Sequence, residues 1–233
     1  MAARYDEKEY SIVEAYKSIR TVITVNEKIK TILITSSEKD EGKTTTTSSL
    51  AECFSDLKKS KILLIDGDLR KPSIHKHFDI DNKYGLVDVL NNDKEFHKCI
   101  KEKGNLHILT TGSRTKNAAE LLDSETMRNF IEEMKETYDY IFVDSPPVSR
   151  VNDACIMAKY IDGTLIVSAS NEIDRELAKL TRNRLNKVNA NIIGVILNKF
   201  KAENHAYHGY YGYEDEETNQ SIFKLINKLI KRR

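Results

Sequence analysis

The sequence predicts an α/β fold, a doubly wound and mostly parallel sheet with helices on both faces. Short β-branched runs alternate with segments of helical period, and the runs are nearly continuously apolar, as expected for strands that are covered on both sides. Repeated strand–helix–strand units favour parallel pairing. The predicted strands are Thr31–Thr35, Lys61–Asp66, Leu106–Thr110, Tyr140–Asp144, Thr164–Ala169 and Asn191–Leu197.

Helices are predicted between these strands and near both ends of the chain. One helix, at about Glu9–Thr24, precedes the first strand, and another, Ser221–Arg232, follows the last. The internal helices are Lys43–Leu57, Ala118–Thr137, Asn152–Tyr160 and Arg175–Val188. Because 233 residues suit one α/β core and no Gly-, Ser- or Pro-rich linker divides them, residues 1–233 are expected to form a single domain.

Composition narrows the classes of function. The 37 basic residues nearly balance the 36 acidic ones, so no global charge favours nucleic acid as a partner. Three widely separated cysteines, Cys53, Cys99 and Cys155, favour reduced thiols over a disulfide or a zinc site. No apolar run is long enough to cross a membrane and the N-terminus is not a signal peptide, so a cytoplasmic protein is expected.

A phosphate-binding loop is predicted between the first strand and the helix after it. Backbone N–H groups at the start of that helix can hold phosphate oxygens, the ammonium of Lys43 can reach the β- and γ-phosphates, and the hydroxyl of Thr44 can bind Mg²⁺. Ser37 stands where this pattern usually has its first glycine. The fold is therefore predicted to be P-loop NTPase-like, with ATP and Mg²⁺ as cofactors. The predicted nucleotide-binding residues of the loop are Asp40, Glu41, Gly42, Lys43, Thr44 and Thr45.

Three aspartates follow predicted strands. Asp66 and Asp68 end the second strand, and Asp144 ends the fourth. The carboxyl ends of parallel strands share one edge of a sheet, so these carboxylates are expected to face the phosphate-binding loop, where Mg²⁺ takes one or two carboxylates with phosphate oxygens. A lone aspartate at such a place would more simply cap the next helix. Three of them beside a P-loop favour a metal site.

Together these motifs resemble those of the bacterial tyrosine kinases, the BY-kinase family of capsular and exopolysaccharide synthesis. The similarity covers nearly the whole chain, and the run from Asp66 to Pro72 is more specific than the phosphate-binding loop alone. The sequence departs from the family pattern at Lys39-Asp40 (usually Pro-Gly), Ala118 (usually Pro) and Lys17 (usually Arg). The similar segments are Glu14–Thr21, Glu41–Thr45, Asp66–Pro72, Asn117–Leu122, Asp144–Pro147 and a cluster of tyrosines near the end.

The resemblance implies an ATP-dependent protein-tyrosine kinase. Lys43 would contact ATP, Asp66 would be the base toward the tyrosine hydroxyl, and the metal would be held by Thr44, Asp68 and Asp144. Lys43, Asp66 and Asp68 form the implied catalytic set. Since phosphoryl transfer passes through a loose transition state, a weak base suffices. Asn198 lies where relatives contact adenine, with an ordinary strand-end asparagine as the alternative.

A tyrosine cluster in the stretch 203–217 is predicted to accept phosphate. Four of the 11 tyrosines fall within seven positions, together with two glycines: Tyr207, Tyr210, Tyr211 and Tyr213. An accessible segment switched by phosphorylation is a recurring device, whereas an aromatic binding patch or a loop folded back on the body is the alternative. Each phosphate adds about −1.5 to −2 charges beside the acidic run Glu214–Glu217, and this repulsion is expected to loosen the docked tail.

Two helical segments are predicted to contribute to assembly. Glu14, Lys17 and Arg20 lie on one helical face. By the resemblance this face joins subunits into a ring in which the tail of one subunit enters the active site of its neighbour; a solvated charged face is the alternative. Ser221–Arg232 combines apolar and basic residues, and packing on its own domain or on a neighbouring subunit is favoured over contact with anionic lipid.

Two other functions fit parts of the sequence. A partitioning or division-site ATPase of the ParA/MinD type shares the P-loop and the aspartates, but its signature lysine, five residues before the loop lysine, is Glu38 here. A non-catalytic, nucleotide-switched interaction module would use the tail for docking. The kinase hypothesis implies a transmembrane activator or polysaccharide co-polymerase on a separate chain, a homo-oligomeric ring, protein tyrosine substrates, a cognate phosphotyrosine phosphatase and recruitment to the inner face of the membrane.

Overall fold

The structure is a computed structural model. It describes residues 7–57, 60–170 and 174–199. Within these ranges seven strands form one sheet in the order β3-β4-β2-β5-β1-β6-β7. The predicted tyrosine cluster and the predicted C-terminal helix lie outside the described residues. The strands are β1 (Thr31–Ser36), β2 (Ile62–Asp66), β3 (Ile100–Lys103), β4 (Leu106–Leu109), β5 (Tyr140–Asp144), β6 (Gly163–Ala169) and β7 (Ile192–Asn198).

All neighbouring strands pair in parallel except β3 and β4. The prediction of a doubly wound, mostly parallel sheet is therefore confirmed. The antiparallel strand β3 was not predicted, because its sequence Ile-Lys-Glu-Lys is mostly charged and half exposed. It forms through a tight turn, in which Gly104 has a φ of 62° and Lys103 pairs with Leu106.

Nine helices occur in the described ranges: α1 (Glu7–Thr24), α2 (Lys43–Ser55), α3 (Ile74–His77), α4 (Leu86–Leu90), α5 (Phe96–Cys99), α6 (Ala118–Leu122), α7 (Glu125–Thr137), α8 (Asp153–Met157) and α9 (Arg175–Lys187). The prediction of one continuous helix over 118–137 is wrong. The hydroxyl of Ser124 accepts the N–H of Met127 at 3.1 Å and begins a separate helix. Helices α3 to α5 were not predicted, because four or five residues are too few to show a helical period.

Both faces of the sheet are covered, as predicted. On one face Ile34 and Phe142 pack with Leu50 and Phe54 of α2. On the other face, the intervening residues of β1 and β5, whose side chains point the opposite way, pack with α7, α8 and Leu185 of α9. No helix in the described part of the chain has the length and apolarity needed to cross a bilayer.

Strand register sets the position of the three aspartates. Asp144 pairs with Asp66 of β2 and with Ile34 of β1. The carboxyl ends of β1, β2 and β5 therefore meet at one edge, beside the loop that leads into α2. Ligands of parallel α/β sheets bind at this edge.

Candidate active site

The loop between β1 and α2 has the backbone of a phosphate-binding loop. Gly42 has a φ of 86°, and a Cβ at this position would lie 2.0 Å from Nδ2 of Asn198, so the site requires glycine. Asp40 also has a positive φ, 63°, which aspartate tolerates better than most residues. Gly42 offers no side-chain oxygen to cap α2, which leaves the first N–H groups of the helix available to an anion.

A compact polar network joins the loop to the end of β5. The ammonium of Lys43 lies 2.9 Å from Oδ1 of Asp144, and the hydroxyl of Thr44 donates to Oδ2 at 2.6 Å. Thr47 adds a weaker contact to Oδ1 at 3.3 Å. Asp144 is fully buried and Lys43 is 9% exposed. The buried charge of Asp144 is thus balanced by a cation and a hydroxyl that are both able to turn toward a ligand.

Asp66 is held differently, by the backbone of its own segment. Its Oδ2 accepts the N–H groups of Ser73 and Ile74, each at 3.0 Å, and its Oδ1 accepts the N–H of Asp68 at 3.2 Å. The carboxyl is fully buried. Burial, reinforced by the neighbouring charge of Asp144, raises the pKa of Asp66 to about 7. Asp66 is therefore placed to hold or release a proton near neutral pH.

Asp68 and Ser73 complete the polar lining. Oδ1 of Asp68 accepts the N–H of Lys71 at 2.9 Å, and burial raises the pKa of the Asp68 carboxyl while the charge of Lys43 opposes that shift. The hydroxyl of Ser73 lies 2.8 Å from that of Thr44. Ser73 was not predicted as a site residue, although its position directly after the Asp66–Pro72 run was the available signal.

The loop is also anchored from its outer side. Glu41 is buried, and its carboxylate accepts the N–H groups of Ala169 at 3.0 Å and Glu38 at 2.7 Å. The side-chain nitrogen of Asn198 donates to the carbonyl of Glu41 at 2.9 Å. Asn198 was predicted to contact adenine; here its amide nitrogen holds the backbone of the loop, and Glu41 acts through its side chain as an anchor.

Glu38 ties the loop to the segment that follows β5. Its carboxylate accepts the hydroxyl of Ser149 at 2.7 Å and two N–H groups of Arg150 at 3.1 and 2.9 Å. The Ser149 hydrogen bond, followed by that of Arg150, lowers the pKa of Glu38. The position that carries a signature lysine in partitioning ATPases is thus a carboxylate engaged within its own chain.

The arrangement fits a nucleotide and a magnesium ion. Mg²⁺ prefers oxygen ligands and needs only one or two carboxylates when phosphates supply the rest. Oxygens of Thr44, Ser73, Asp68 and Asp144 line one edge of the sheet, and the uncapped N-terminus of α2 adjoins them. Within residues 7–57, 60–170 and 174–199, no three His, Cys, Asp or Glu side chains form a metal-binding group by themselves. Oxygen donors of this kind suit a magnesium ion whose remaining ligands are phosphate oxygens.

Comparison with known proteins shows which family the chain resembles. Residues 29–178 match the family model described as an AAA domain. The tyrosine-protein kinase YwqD of Bacillus subtilis is 36% identical over 207 residues, which cover 87% of each protein. The kinase domain of the Escherichia coli tyrosine kinase ETK superposes with a TM-score of 0.76 at 31% identity, over 86% of this chain and 80% of that one.

This chain belongs to the bacterial tyrosine kinases. Its enzyme class is that of the protein-tyrosine kinases, and its fold is that of the P-loop NTPases. The septum site-determining protein MinD of Pyrococcus horikoshii, solved with Mg-ADP, superposes with a TM-score of 0.62 over 76% of this chain and 72% of that one. Its identity of 24% shows a shared fold alone.

The departures of this bacterial tyrosine kinase from the family pattern have local explanations. Asp40 adopts the left-handed conformation that the usual glycine would take. Ser37 keeps a negative φ, so its backbone does not need glycine. Ala118 is the first residue of α6 and is buried; proline is favoured at such a position, and alanine fits it equally well.

Helix α1 of the kinase contacts α2 through one of the three predicted interface residues. Arg20 donates to the backbone carbonyl of Cys53 at 2.5 Å, and Lys17 forms an exposed ion pair with Glu14 at 2.7 Å. Arg20 is thus engaged within its own chain. The role of this face in assembly stays a prediction.

Proposed function

We propose that this kinase transfers the γ-phosphoryl group of ATP to tyrosine hydroxyls, including its own cluster Tyr207–Tyr213, and that it does so between subunits. The observation that carries the proposal is the convergence of Lys43, Thr44, Asp66 and Asp144 at one sheet edge, with charge balance at Asp144 and a proton-holding carboxyl at Asp66. Such a site stabilises charge and moves one proton, which phosphoryl transfer requires.

Lys43, Thr44 and Asp144 are proposed to bind the nucleotide and its metal. The ammonium of Lys43 exchanges Asp144 for phosphate oxygens when ATP enters, while N–H groups at the start of α2 hold the phosphates. The proposed metal ligands are Thr44, Asp68 and Asp144. Bound Mg²⁺ neutralises charge that develops on the phosphates. Asp40, Glu41, Gly42 and Thr45 shape the loop, and Asn198 holds it from outside.

Asp66 is proposed to accept the proton of the tyrosine hydroxyl. Burial raises the pKa of this carboxyl to about 7, so its carboxylate is a stronger base than that of an ordinary aspartate. The tyrosine hydroxyl, with a pKa near 10, loses its proton late in such a reaction. Asp66 must release its contacts with the N–H groups of Ser73 and Ile74, or share them, to reach that proton.

Assembly and location follow from the same proposal. Glu14, Lys17 and Arg20 contribute to a homo-oligomeric ring in which the tail of one subunit reaches the active site of the next. A transmembrane activator or polysaccharide co-polymerase on a separate chain recruits the kinase to the inner face of the membrane. The kinase then regulates capsular or exopolysaccharide synthesis and export, and a phosphotyrosine phosphatase reverses its action.

Peptide mass spectrometry after incubation with ATP and Mg²⁺ tests the proposal. Phosphate should appear on Tyr207, Tyr210, Tyr211 or Tyr213 in the wild type and not in Lys43→Met. A cytoplasmic peptide of the activator is added in a parallel reaction, because the family resemblance implies that such an activator is needed for full activity. ATP hydrolysis without phosphotyrosine in either reaction would instead support a partitioning-type ATPase.

A further inference from the structure

Helix α9 carries a stripe of exposed cations that the kinase site does not use. Arg175, Lys179 and Arg182 are all exposed and are spaced by four and three residues, so they lie on one face of the helix. Arg175 and Arg182 form no ion pair with any residue in the described ranges. Lys179 pairs with Glu176 at 2.7 Å, but both groups are exposed and such a pair opens at little cost.

The acidic groups near this stripe do not neutralise it. Asp174 caps the helix by accepting the N–H of Glu176 at 2.9 Å, and Glu176 is the only acidic residue within α9. Lys187 adds a further exposed cation toward the end of the helix, whereas Arg184 is turned inward to the carbonyl of Val148 at 2.8 Å. The exposed surface of α9 is therefore strongly cationic in a chain that is nearly neutral overall.

We infer that the stripe formed by Arg175, Lys179 and Arg182 binds the acidic run Glu214–Glu217 of the same chain. The run contains four consecutive carboxylates, Glu-Asp-Glu-Glu. Arg175 and Arg182 are seven residues apart, about 10 Å along a helix. Four extended residues also span about 10 Å, so run and stripe match in length as well as in charge.

Chain geometry favours binding within one molecule. Asn198 and Ala169 pair at the carboxyl ends of β7 and β6, and both contact Glu41 of the phosphate-binding loop. Helix α9 begins six residues after Ala169, and the tail begins directly after Lys199. The 15 residues from Lys199 to Glu214 reach up to about 50 Å when extended, so length does not limit the contact. Such a tether supplies an effective concentration on the order of millimolar.

The contact would anchor the tail to its own subunit just after the tyrosine cluster and, on the proposed function, leave that cluster available to the active site of a neighbouring subunit. Tyr213 directly precedes the acidic run. Each phosphate added to the cluster brings about −1.5 to −2 charges, which strengthens attraction to α9 and repulsion from the aspartates of the active site. A phosphorylated tail should therefore leave the active site of the neighbouring subunit and remain on α9 of its own chain.

Carbodiimide cross-linking of the full-length, unphosphorylated chain tests the inference without requiring kinase activity. The reagent joins a lysine amine to a carboxylate in direct contact, so Lys179 should cross-link to Glu214–Glu217 at a several-fold higher yield than Lys103. The yield should fall between 0.1 M and 1 M salt, where the screening length shrinks from about 10 Å to about 3 Å. When unlabelled protein is mixed with isotopically labelled protein, each cross-linked peptide pair should be either fully light or fully heavy, as expected for links within one molecule.

Two matched variants complete the experiment. Arg175→Gln/Arg182→Gln keeps Lys179 as the reporter and should lower its cross-link several-fold. Lys101→Gln/Lys103→Gln removes the same charge from β3 at the opposite edge of the sheet and should leave it unchanged. Equal yields at Lys179 and Lys103 in the wild type, or no response to the first variant, would overturn the inference. Mixed-isotope cross-links in equal yield would overturn the assignment to one molecule, and arginine-dependent binding to phosphatidylserine vesicles without the cross-link would assign the stripe to lipid.

Discussion

Asp144 and Asp66 end neighbouring strands and pair with each other in the sheet, yet their surroundings are different. Asp144 contacts side chains, the ammonium of Lys43 and the hydroxyl of Thr44, which can rotate toward a ligand. Asp66 contacts backbone N–H groups, which cannot leave without moving the chain. An aspartate whose partners are side chains that can turn away suits a nucleotide and metal site. A buried aspartate whose partners are fixed backbone N–H groups suits the control of a proton.

The largest effect is expected at the charge-balanced aspartate. Lys43→Met leaves the buried Asp144 without its cation, which costs about 3–5 kcal/mol in comparable buried pairs, and removes a phosphate contact whose loss typically costs about 10²–10³-fold in rate. Thermal unfolding and phosphotyrosine formation measure the two consequences. In the double variant Lys43→Met/Asp144→Asn the stability should recover and the kinase activity should not. Recovery of both would show that Lys43 is not required for catalysis.

A second variant, Asp66→Asn, tests how the buried carboxyl of Asp66 makes stability depend on pH. The pKa of Asp66 is raised in the folded chain, so the folded state binds a proton more tightly than the unfolded one, and stability should fall as pH rises from about 4 through about 7. Asp66→Asn should abolish that decrease and raise the melting temperature at pH 8, by about 2–4 °C for each kcal/mol gained, while kinase activity is lost. Metal-free protein is melted at several pH values, and identical profiles for both proteins would contradict the raised pKa.

A smaller effect is expected at the loop that both aspartates adjoin. Gly42→Ala adds a Cβ in a left-handed conformation against Nδ2 of Asn198, which should cost about 1–2 kcal/mol and raise the KM for ATP more than it lowers kcat. Steady-state kinetics separate the two constants. Asn198→Ala alone removes the hydrogen bond to Glu41 and tests whether loop position controls ATP binding. A fall in kcat at unchanged KM would argue against this role.

The smallest effect is expected where Glu38 joins the loop to the segment that follows β5. Glu38→Gln keeps a hydrogen-bond acceptor for Ser149 and weakens the exposed ion pair with Arg150, so we expect a modest rise in the KM for ATP. Arg150→Gln should resemble it, and the double variant should add little to either single change. A full additive loss would show that the two residues act separately.

Sequence patterns predicted most of the fold because the buried strands are continuously apolar and the loop at Lys43 follows one of them. They missed β3, whose pairing depends on a turn at Gly104 rather than on its own charged residues. They placed Asp66, Asp68 and Asp144 at one edge, because parallel register brings strand ends together. They could not predict whether a site residue is held by backbone or by side-chain groups. Those partners depend on the path of the chain through Ser73 and on the orientation of the Asn198 side chain.

Phosphorylation of a catalytically inactive chain by a chain that lacks the acceptor tyrosines tests the central claim most directly. One chain carries Lys43→Met and keeps its tyrosines; the other keeps Lys43 and carries Tyr207→Phe, Tyr210→Phe, Tyr211→Phe and Tyr213→Phe. With ATP, Mg²⁺ and the activator peptide, the first chain should acquire phosphotyrosine in its tail only when the two are mixed. Wild-type chain that labels its own cluster, combined with no labelling in the mixture at any ratio, would contradict transfer between subunits; absence of phosphotyrosine in wild type as well would contradict the assignment of these tyrosines as phosphoacceptors.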